Sequence, residues 1–224
     1  MKIGRKSLKT SGGAAVVAQK FSLEIVGRYD SEGVSFTETE STRTMRIIIN
    51  ADDFGLNVCV NDRILDLMSR HRITSATFIS NAPSVEDAVR KIPREAYCSF
   101  GVHLNLTQFE PLTPPKDRGI LSACLDEKGY FLGEKYLRST RITSTLRKAF
   151  FKELSLQVER MCALGVKISH FDSHNHVHTI PALFPVLKQL QEHFGIRKVR
   201  TTWNMFSSPA PSARPAASAA ARAA

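Results

Sequence analysis

The sequence predicts an α/β fold with a parallel sheet, on three observations. From residue 45 onward, short runs rich in β-branched residues alternate with longer segments of helical periodicity. Glycine or proline stands at several of the junctions between these segments. Polar segments follow the ends of predicted strands, which is where α/β folds place their active sites. A doubly wound sheet and a (β/α) barrel both fit this pattern.

The first part of the pattern contains three strands and two helices. An uninterrupted apolar run predicts the first strand, and four apolar residues recurring on one face predict the helix that follows. Ser84 is a suitable N-cap for the second helix, and Pro93 ends it. These elements are, in order, residues 45–50, 57–71, 75–80, 84–91 and 98–106.

The second part begins with a long loop, residues 108–140, which is rich in proline and glycine and whose length is typical of a binding loop. A long helix then ends at Gly165, and a later helix begins at Pro181 and ends before Gly195. The predicted helices and strands here are residues 141–164, 167–172, 181–194 and 198–201.

Both ends of the chain differ from this pattern. Residues 1–44 show no sustained period and are expected to be a disordered extension, with Met45 as the natural start. Residues 207–224 are almost entirely Ser, Pro, Ala and Arg, and are expected to be a disordered tail. The predicted domain is therefore residues 45–206, and its α/β pattern stops after five strands.

The composition excludes several classes of protein. The net charge is +10, but residues 1–20 carry five of these charges and residues 207–224 two, so the rest of the chain gives weak evidence for a nucleic-acid surface. The four cysteines are widely spaced, which favours free thiols in a reducing, cytoplasmic setting. No apolar run has the length of a membrane span, and we expect no secretory signal.

Two adjacent carboxylates, Asp52 and Asp53, follow the first predicted strand. Neighbouring side chains at a strand end point in different directions, so one can bind a metal ion while the other faces a reacting water. Aspartate is also a favoured helix cap. In that alternative, one of the two caps the next helix and the other is simply exposed.

Histidines supply the second part of a candidate metal site. His103 lies in an otherwise apolar strand, where a buried core histidine is the ordinary alternative to a ligand. Four of the seven histidines fall within residues 170–178, and a histidine-rich surface loop is the ordinary explanation of such a run. A catalytic zinc-type site takes three protein ligands and leaves one position open. We therefore expect one direct ligand among the four, with one or two others near the substrate. A mononuclear metal hydrolase fits all three segments better than a Ser-His-Asp hydrolase, because the chain has no G-x-S-x-G turn.

Three segments together carry a family resemblance: residues 50–55 (Asn-Ala-Asp-Asp-Phe-Gly), 101–107 (Gly-Val-His-Leu-Asn-Leu-Thr) and 170–178 (His-Phe-Asp-Ser-His-Asn-His-Val-His). In this order and spacing they resemble the YdjC-like carbohydrate deacetylases, a family that includes the chitooligosaccharide deacetylases. The resemblance covers about residues 45–201. It implies a (β/α) barrel-like deacetylase fold, expected to be incomplete here because the tail replaces the family's C-terminal third.

The resemblance also implies the site. An Asp-His-His metal centre falls on Asp53, His103 and His174, and Asp52 takes the place of the catalytic base. His176 and His178 are then the candidates to orient the site or to protonate the leaving amine.

The implied activity is metal-dependent removal of N-acetyl groups from amino sugars or acetylated oligosaccharides, with one divalent ion, Mg²⁺ or Zn²⁺. One alternative is a truncated, non-catalytic remnant that binds metal or sugar. Another is a metal-dependent phosphoesterase, which usually needs two metal ions and more carboxylates. We expect an acetylated sugar as the substrate, no nucleic-acid or membrane partner, and a homodimer as an assembly to be tested.

Overall fold

The computed structural model describes residues 21–25 and 47–201, and within them six strands form one sheet in the order of the chain. The strands are β1 (Phe21–Ile25), β2 (Ile47–Phe54), β3 (Ser75–Phe78), β4 (Ser99–Leu104), β5 (Ile168–Ser173) and β6 (Lys198–Val199). The α-helices are α1 (Val58–Ser69), α2 (Val85–Arg90), α3 (Glu134–Ser139), α4 (Ser144–Ala163) and α5 (Phe184–Phe194). Short 3₁₀ helices lie at Pro115–Asp117, Gly119–Cys124, His174–Thr179 and Pro181–Leu183.

The predicted α/β class with a parallel sheet is confirmed. Strands β2 to β6 are parallel and follow one another across the sheet in chain order, as in a (β/α) barrel. In the described part of the chain, β1 and β6 are the two edges and the sheet is not closed. The carboxyl ends of the parallel strands therefore meet on one side of the sheet.

Strand β1 lies within residues 1–44, where the sequence predicts no element. It runs antiparallel to β2, with Phe21 opposite Ala51 and Ile25 opposite Ile47. The rest of the first 46 residues and residues 202–224 lie outside the described part of the chain. The predicted disorder of both ends, and the domain limits drawn from it, stay predictions.

Helix termini decide one alternative left open by the sequence. The helix after the aspartate pair is capped by Asn57, whose Oδ1 accepts a hydrogen bond from the backbone N of Val60 at 2.9 Å. Neither Asp52 nor Asp53 is the cap, so both remain available for chemistry. At α2, Ser84 occupies the predicted N-cap position, but its side chain makes no capping hydrogen bond.

The strand ends are held by a packed apolar core. Phe54, Phe78 and Phe171, at or near the ends of β2, β3 and β5, are fully buried. The rings of Phe54 and Phe78 stack with their centroids 4.5 Å apart. Because close-packed aromatic rings leave little freedom to shift, the polar residues beside them are held on a rigid base.

A long insertion joins β4 to α4 and is anchored by a buried glutamate. Glu153 of α4 is fully buried and accepts hydrogen bonds from the backbone N atoms of Leu112 (3.0 Å) and Thr113 (2.8 Å). Gln157, one turn later, donates to the carbonyl of Asn105 at 2.7 Å and accepts from its backbone N at 3.0 Å. These bonds fix the first residues of the insertion to the helix, which explains how a polar loop keeps a defined path.

Candidate metal centre

The aspartate pair lies in an irregular end of β2. The pairing of β2 with β3 shifts register between Ala51 and Phe54, and Asp53 has a left-handed backbone with φ 65. This conformation is uncommon for a residue with a side chain, and such outliers cluster at functional sites. It directs Asp53 and Asp52 to different neighbours, as the sequence predicted for adjacent carboxylates.

Three side chains from three strand ends converge on one point. His103 Nε2 lies 3.2 Å from Asp53 Oδ1, and His174 Nδ1 lies 2.9 Å from the same oxygen. His103 lies at the carboxyl end of β4, one residue before its last, and His174 follows β5 directly. The structure therefore brings together the three residues that the sequence analysis assigned to a metal ion.

The donor set fits a divalent cation. One carboxylate oxygen and two imidazole nitrogens, all within 4.8 Å of one another, match the three protein ligands of catalytic zinc-type sites. Burial would raise the pKa of Asp53, but hydrogen bonds from His103 and His174 outweigh it and hold that pKa well below its usual range. Asp53 is therefore a carboxylate at neutral pH, which is the form that binds metal ions.

His103 is oriented from behind by Asp172. The Nδ1 atom of His103 lies 2.6 Å from Asp172 Oδ1, and both side chains are buried. Burial favours the neutral imidazole, yet the charge of Asp172 and its hydrogen bond raise the pKa of His103 to about 10. A carboxylate on the second nitrogen of a ligating histidine fixes the tautomer and turns the other nitrogen toward the metal.

Arg200 compensates two carboxylates beside the centre, Asp52 on the cavity wall and the buried Asp172. Its guanidinium binds both oxygens of Asp52, at 2.6 and 3.0 Å, and lies 2.9 Å from Asp172 Oδ2. Burial is the main cause that raises the pKa of Asp52 to about 6, with a smaller contribution from Asp172, while His103 and Arg200 oppose it. Asp52 is thus a carboxylate of raised basicity held in a fixed orientation.

The converging residues open onto a cavity of about 160 Å³. Its walls include the three ligand candidates, Asp52 and His176. Glu134, from α3 of the insertion, also lines it, so the loop that the sequence predicts as a binding loop reaches the site. A cavity of this size accommodates a small polar group together with water.

The other histidines of residues 170–178 have separate places. His178 is turned away from the cavity and hydrogen-bonds to Ser173, and burial lowers its pKa to about 4. His170 lies further back along β5 and shares hydrogen bonds with Ser75 (3.2 Å) and Ser169 (2.8 Å). Of the two histidines predicted near the substrate, the structure places His176 on the cavity wall and His178 behind it.

Two residues of the site, Arg200 and Glu134, were not identified from the sequence. Arg200 carried no signal beyond its place in the last predicted strand, and Glu134 is one of several charged residues in a loop. Asp172 lies within the histidine-rich segment, at the strand end where functional residues were expected, but its role behind His103 depends on the pairing of β4 with β5.

A cluster of this kind at the carboxyl ends of parallel strands is typical of metal-dependent α/β hydrolases. The chain matches the family model described as YdjC-like protein over residues 46–224. It belongs to the YdjC-like family.

Named relatives agree with this assignment. The chain is 36% identical to a carbohydrate deacetylase of Geobacillus stearothermophilus over 156 residues, which are 69% of this chain and 60% of the relative. It is 33% identical to a carbohydrate deacetylase of Brevibacillus brevis over 160 residues, 71% and 60% of the two chains. The chain thus spans about 60% of the length of these relatives.

A solved structure is also similar. It is the crystal structure of a putative cellobiose-phosphate cleavage protein from Enterococcus faecalis, with a TM-score of 0.60 and 27% identity. The match covers 70% of this chain and 59% of that one. None of the helices within residues 47–201 has the length and apolarity of a membrane span.

Proposed function

We propose that this chain is a metal-dependent deacetylase that hydrolyses the N-acetyl group of an amino sugar or acetylated oligosaccharide. The observation that carries the proposal is the convergence of Asp53, His103 and His174 beside Asp52 in one cavity. The carbohydrate deacetylases among its relatives support the substrate class.

One divalent ion, Mg²⁺ or Zn²⁺, is the proposed cofactor. Asp53, His103 and His174 would hold it. The hydrogen bond of His103 Nδ1 to Asp172 keeps Nε2 turned toward the site, and binding would release the proton that His103, with its pKa of about 10, otherwise carries at neutral pH. When bound, such an ion supplies Lewis-acid chemistry, acidifying water and polarising the acetyl carbonyl.

Asp52 is the proposed general base. It lines the cavity next to the ligand group, and its raised pKa of about 6 makes it a better proton acceptor than an ordinary aspartate while leaving it ionised at neutral pH. Arg200 holds both of its oxygens and so fixes the direction from which it accepts the proton of the attacking water. A base held in this way loses little orientational freedom at the reacting position.

His176 is the proposed proton donor to the leaving amine. It lines the cavity, whereas His178 lies behind Ser173 and its lowered pKa keeps it neutral above about pH 4. A neutral, enclosed imidazole is poorly suited to deliver a proton to a substrate in the cavity. His178 is instead suited to hold Ser173 and the start of the histidine turn in place.

The charge distribution favours this chemistry over a two-metal phosphoesterase. A second group of ligand-type residues, Asp52, His103 and Asp172, lies beside the first. The guanidinium of Arg200 already lies between Asp52 and Asp172 and supplies a positive charge there, so a second cation at that place would be repelled. One metal ion for each chain is therefore the proposed stoichiometry.

The cellular setting is part of the proposal. All four cysteines are free, two of them buried and two exposed, which suits a reducing compartment such as the cytoplasm. Self-association as a homodimer stays a prediction, and sedimentation of the purified chain measures it.

The test uses the full chain with an N-acetylated chitooligosaccharide and measures acetate release with and without a chelator. We expect activity that the chelator removes and that added Zn²⁺ or Mg²⁺ restores. His193→Ala is the matched control for histidine variants, because His193 is exposed on α5. Bound metal without acetate release would favour the non-catalytic remnant, and phosphate release from a phosphate ester with two bound ions would favour the phosphoesterase.

A further inference from the structure

The turn that carries two of the cavity histidines has an unusual backbone. Asn175 and His176 both have left-handed angles, φ 53 and φ 54. Two such residues in succession are unfavourable for side chains with a Cβ, and they persist only where neighbouring contacts hold them. The turn lies directly between His174 and the rest of the 3₁₀ helix, so its shape decides where His174 and His176 point.

The insertion holds this turn from two sides. Near its start, the buried Thr107 accepts a hydrogen bond from Asn175 Nδ2 at 3.0 Å. Near its end, Arg138 Nη2 donates to the backbone carbonyl of Asn175 at 3.0 Å. The second bond is made to the main chain itself, at the carbonyl of the peptide that joins the two left-handed residues.

Arg138 is oriented for this contact by Glu134. The two side chains form an ion pair one turn apart on α3, with Arg138 Nε 2.7 Å from Glu134 Oε1. Glu134 lines the cavity, so the pair connects the cavity wall with the turn. An exposed ion pair within one helix contributes little by itself. What distinguishes Arg138 from an ordinary surface arginine is its bond to the carbonyl of Asn175, 37 residues away along the chain.

We propose that Arg138 is a positioning residue of the metal centre. By holding the carbonyl of Asn175, it keeps the left-handed turn that directs His174 and His176 into the cavity. The inference rests on the proposed function, in which His174 is a metal ligand. The insertion then has two roles, because the same segment that lines the cavity also sets the geometry of a ligand.

The experiment compares Arg138→Met and Arg138→Lys with the control Arg141→Met, an exposed arginine close by in the chain. Methionine keeps much of the side-chain length and removes every donor, whereas lysine keeps a cationic donor group without the fork of the guanidinium. Zn²⁺ affinity is measured by competition with a chelator, the absorption spectrum of the Co²⁺-substituted protein reports the ligand geometry, and kcat and KM are measured for acetate release.

We expect Arg138→Met to weaken Zn²⁺ binding about 3- to 10-fold, the range for one charge-assisted hydrogen bond at a half-exposed site, and to change the Co²⁺ spectrum. The loss should fall on kcat more than on KM, Arg138→Lys should recover part of it, and Arg141→Met should match the unmodified chain. Equal Zn²⁺ affinity and an identical Co²⁺ spectrum in Arg138→Met would overturn the inference.

A further measurement separates this inference from the proposed function. The imidazole NMR signals of His174 and His176 are recorded without metal in the unmodified chain and in Arg138→Lys. Arg138→Lys keeps the positive charge and can be measured even if Arg138→Met does not fold. Shifted signals support the positioning role even if no metal binds, in which case only the proposed function fails. If the unmodified chain binds metal and these signals are the same in both chains, the positioning role of Arg138 fails while the proposed function is unaffected.

Discussion

Two groups of ligand-type side chains share His103, and they acquire positive charge in different ways. In the front group, Asp53 receives its hydrogen bonds from His103 and His174 and faces the cavity. In the rear group, the guanidinium of Arg200 bridges Asp52 and Asp172. The same residue types thus form the proposed metal site in one group and a buried ion pair in the other. Charge compensation, more than the identity of the side chains, therefore distinguishes the group that is open to a cation from the group that already holds one.

The largest expected effect concerns the front group. His103→Ala and His174→Ala should each abolish tight metal binding, and Asp53→Asn should lose both metal and hydrolysis, because a three-ligand site has no redundancy. The loss in metal affinity should exceed the roughly 10–100-fold loss that follows from removing a residue that only hydrogen-bonds to a metal ligand. Metal content of the purified variants checks this, with His193→Ala as the control. A full equivalent retained by any one variant would remove that residue from the ligand set.

The next effect separates the two groups by function. Asp52→Asn should keep the metal but lose about 10²–10⁴ in hydrolysis rate, because an amide cannot accept the proton of the attacking water. Metal analysis and acetate release, measured on the same sample, check this. If Asp52→Asn lost the metal while Asp53→Asn kept it, the roles of the two aspartates would be reversed.

A third change tests the ion pair of the rear group. Arg200→Met should lower the free energy of unfolding by about 3–5 kcal/mol, because it leaves the largely buried Asp52 without its cation and Asp172 with His103 as its remaining ion-pair partner. Thermal or urea unfolding measures this, and the exposed Arg197→Met serves as the control. A rise from one to two bound metal ions in Arg200→Met would show that the guanidinium had kept a cation out of the rear group, since a metal would then replace it. Unfolding at the same midpoint as the unmodified chain would show that the pair contributes nothing.

The smallest effect distinguishes the two histidines next to the centre. His176→Gln should slow hydrolysis about 10²-fold or more, in the range of a lost general acid, whereas His178→Gln should change the rate less than about 10-fold, because His178 does not line the cavity. Rates measured at saturating substrate check this. The reverse order would return the acid role to His178.

The sequence predicted the residues that converge better than it predicted their supports. Patterns at the strand ends indicated the α/β class, the aspartate pair, His103 and the histidine run, and the family resemblance then singled out Asp53, His103 and His174, whose role as ligands stays a prediction. Arg200 and Glu134 could not be found this way. Their roles depend on contacts across 148 residues in one case and on the path of an irregular insertion in the other. Strand β1 was missed although Phe21–Ile25 alternates apolar and polar residues, because five residues are a short signal within a segment that has no other sustained pattern, and their pairing with β2 is a tertiary contact.

The anchoring of the insertion by Glu153 and Gln157 has a consequence for how such a protein can diverge. The chain is bound to α4 at Thr113 and reaches the cavity at Glu134. Between them, three side chains are buried in the core: Leu121, Cys124 and Phe131. The exposed positions of this stretch are therefore the ones that can change without disturbing the packing. The proposed ligands, in contrast, lie on the sheet and on the turn after β5. The architecture thereby separates the surface that can vary beside the cavity from the strand ends that would carry the proposed reaction.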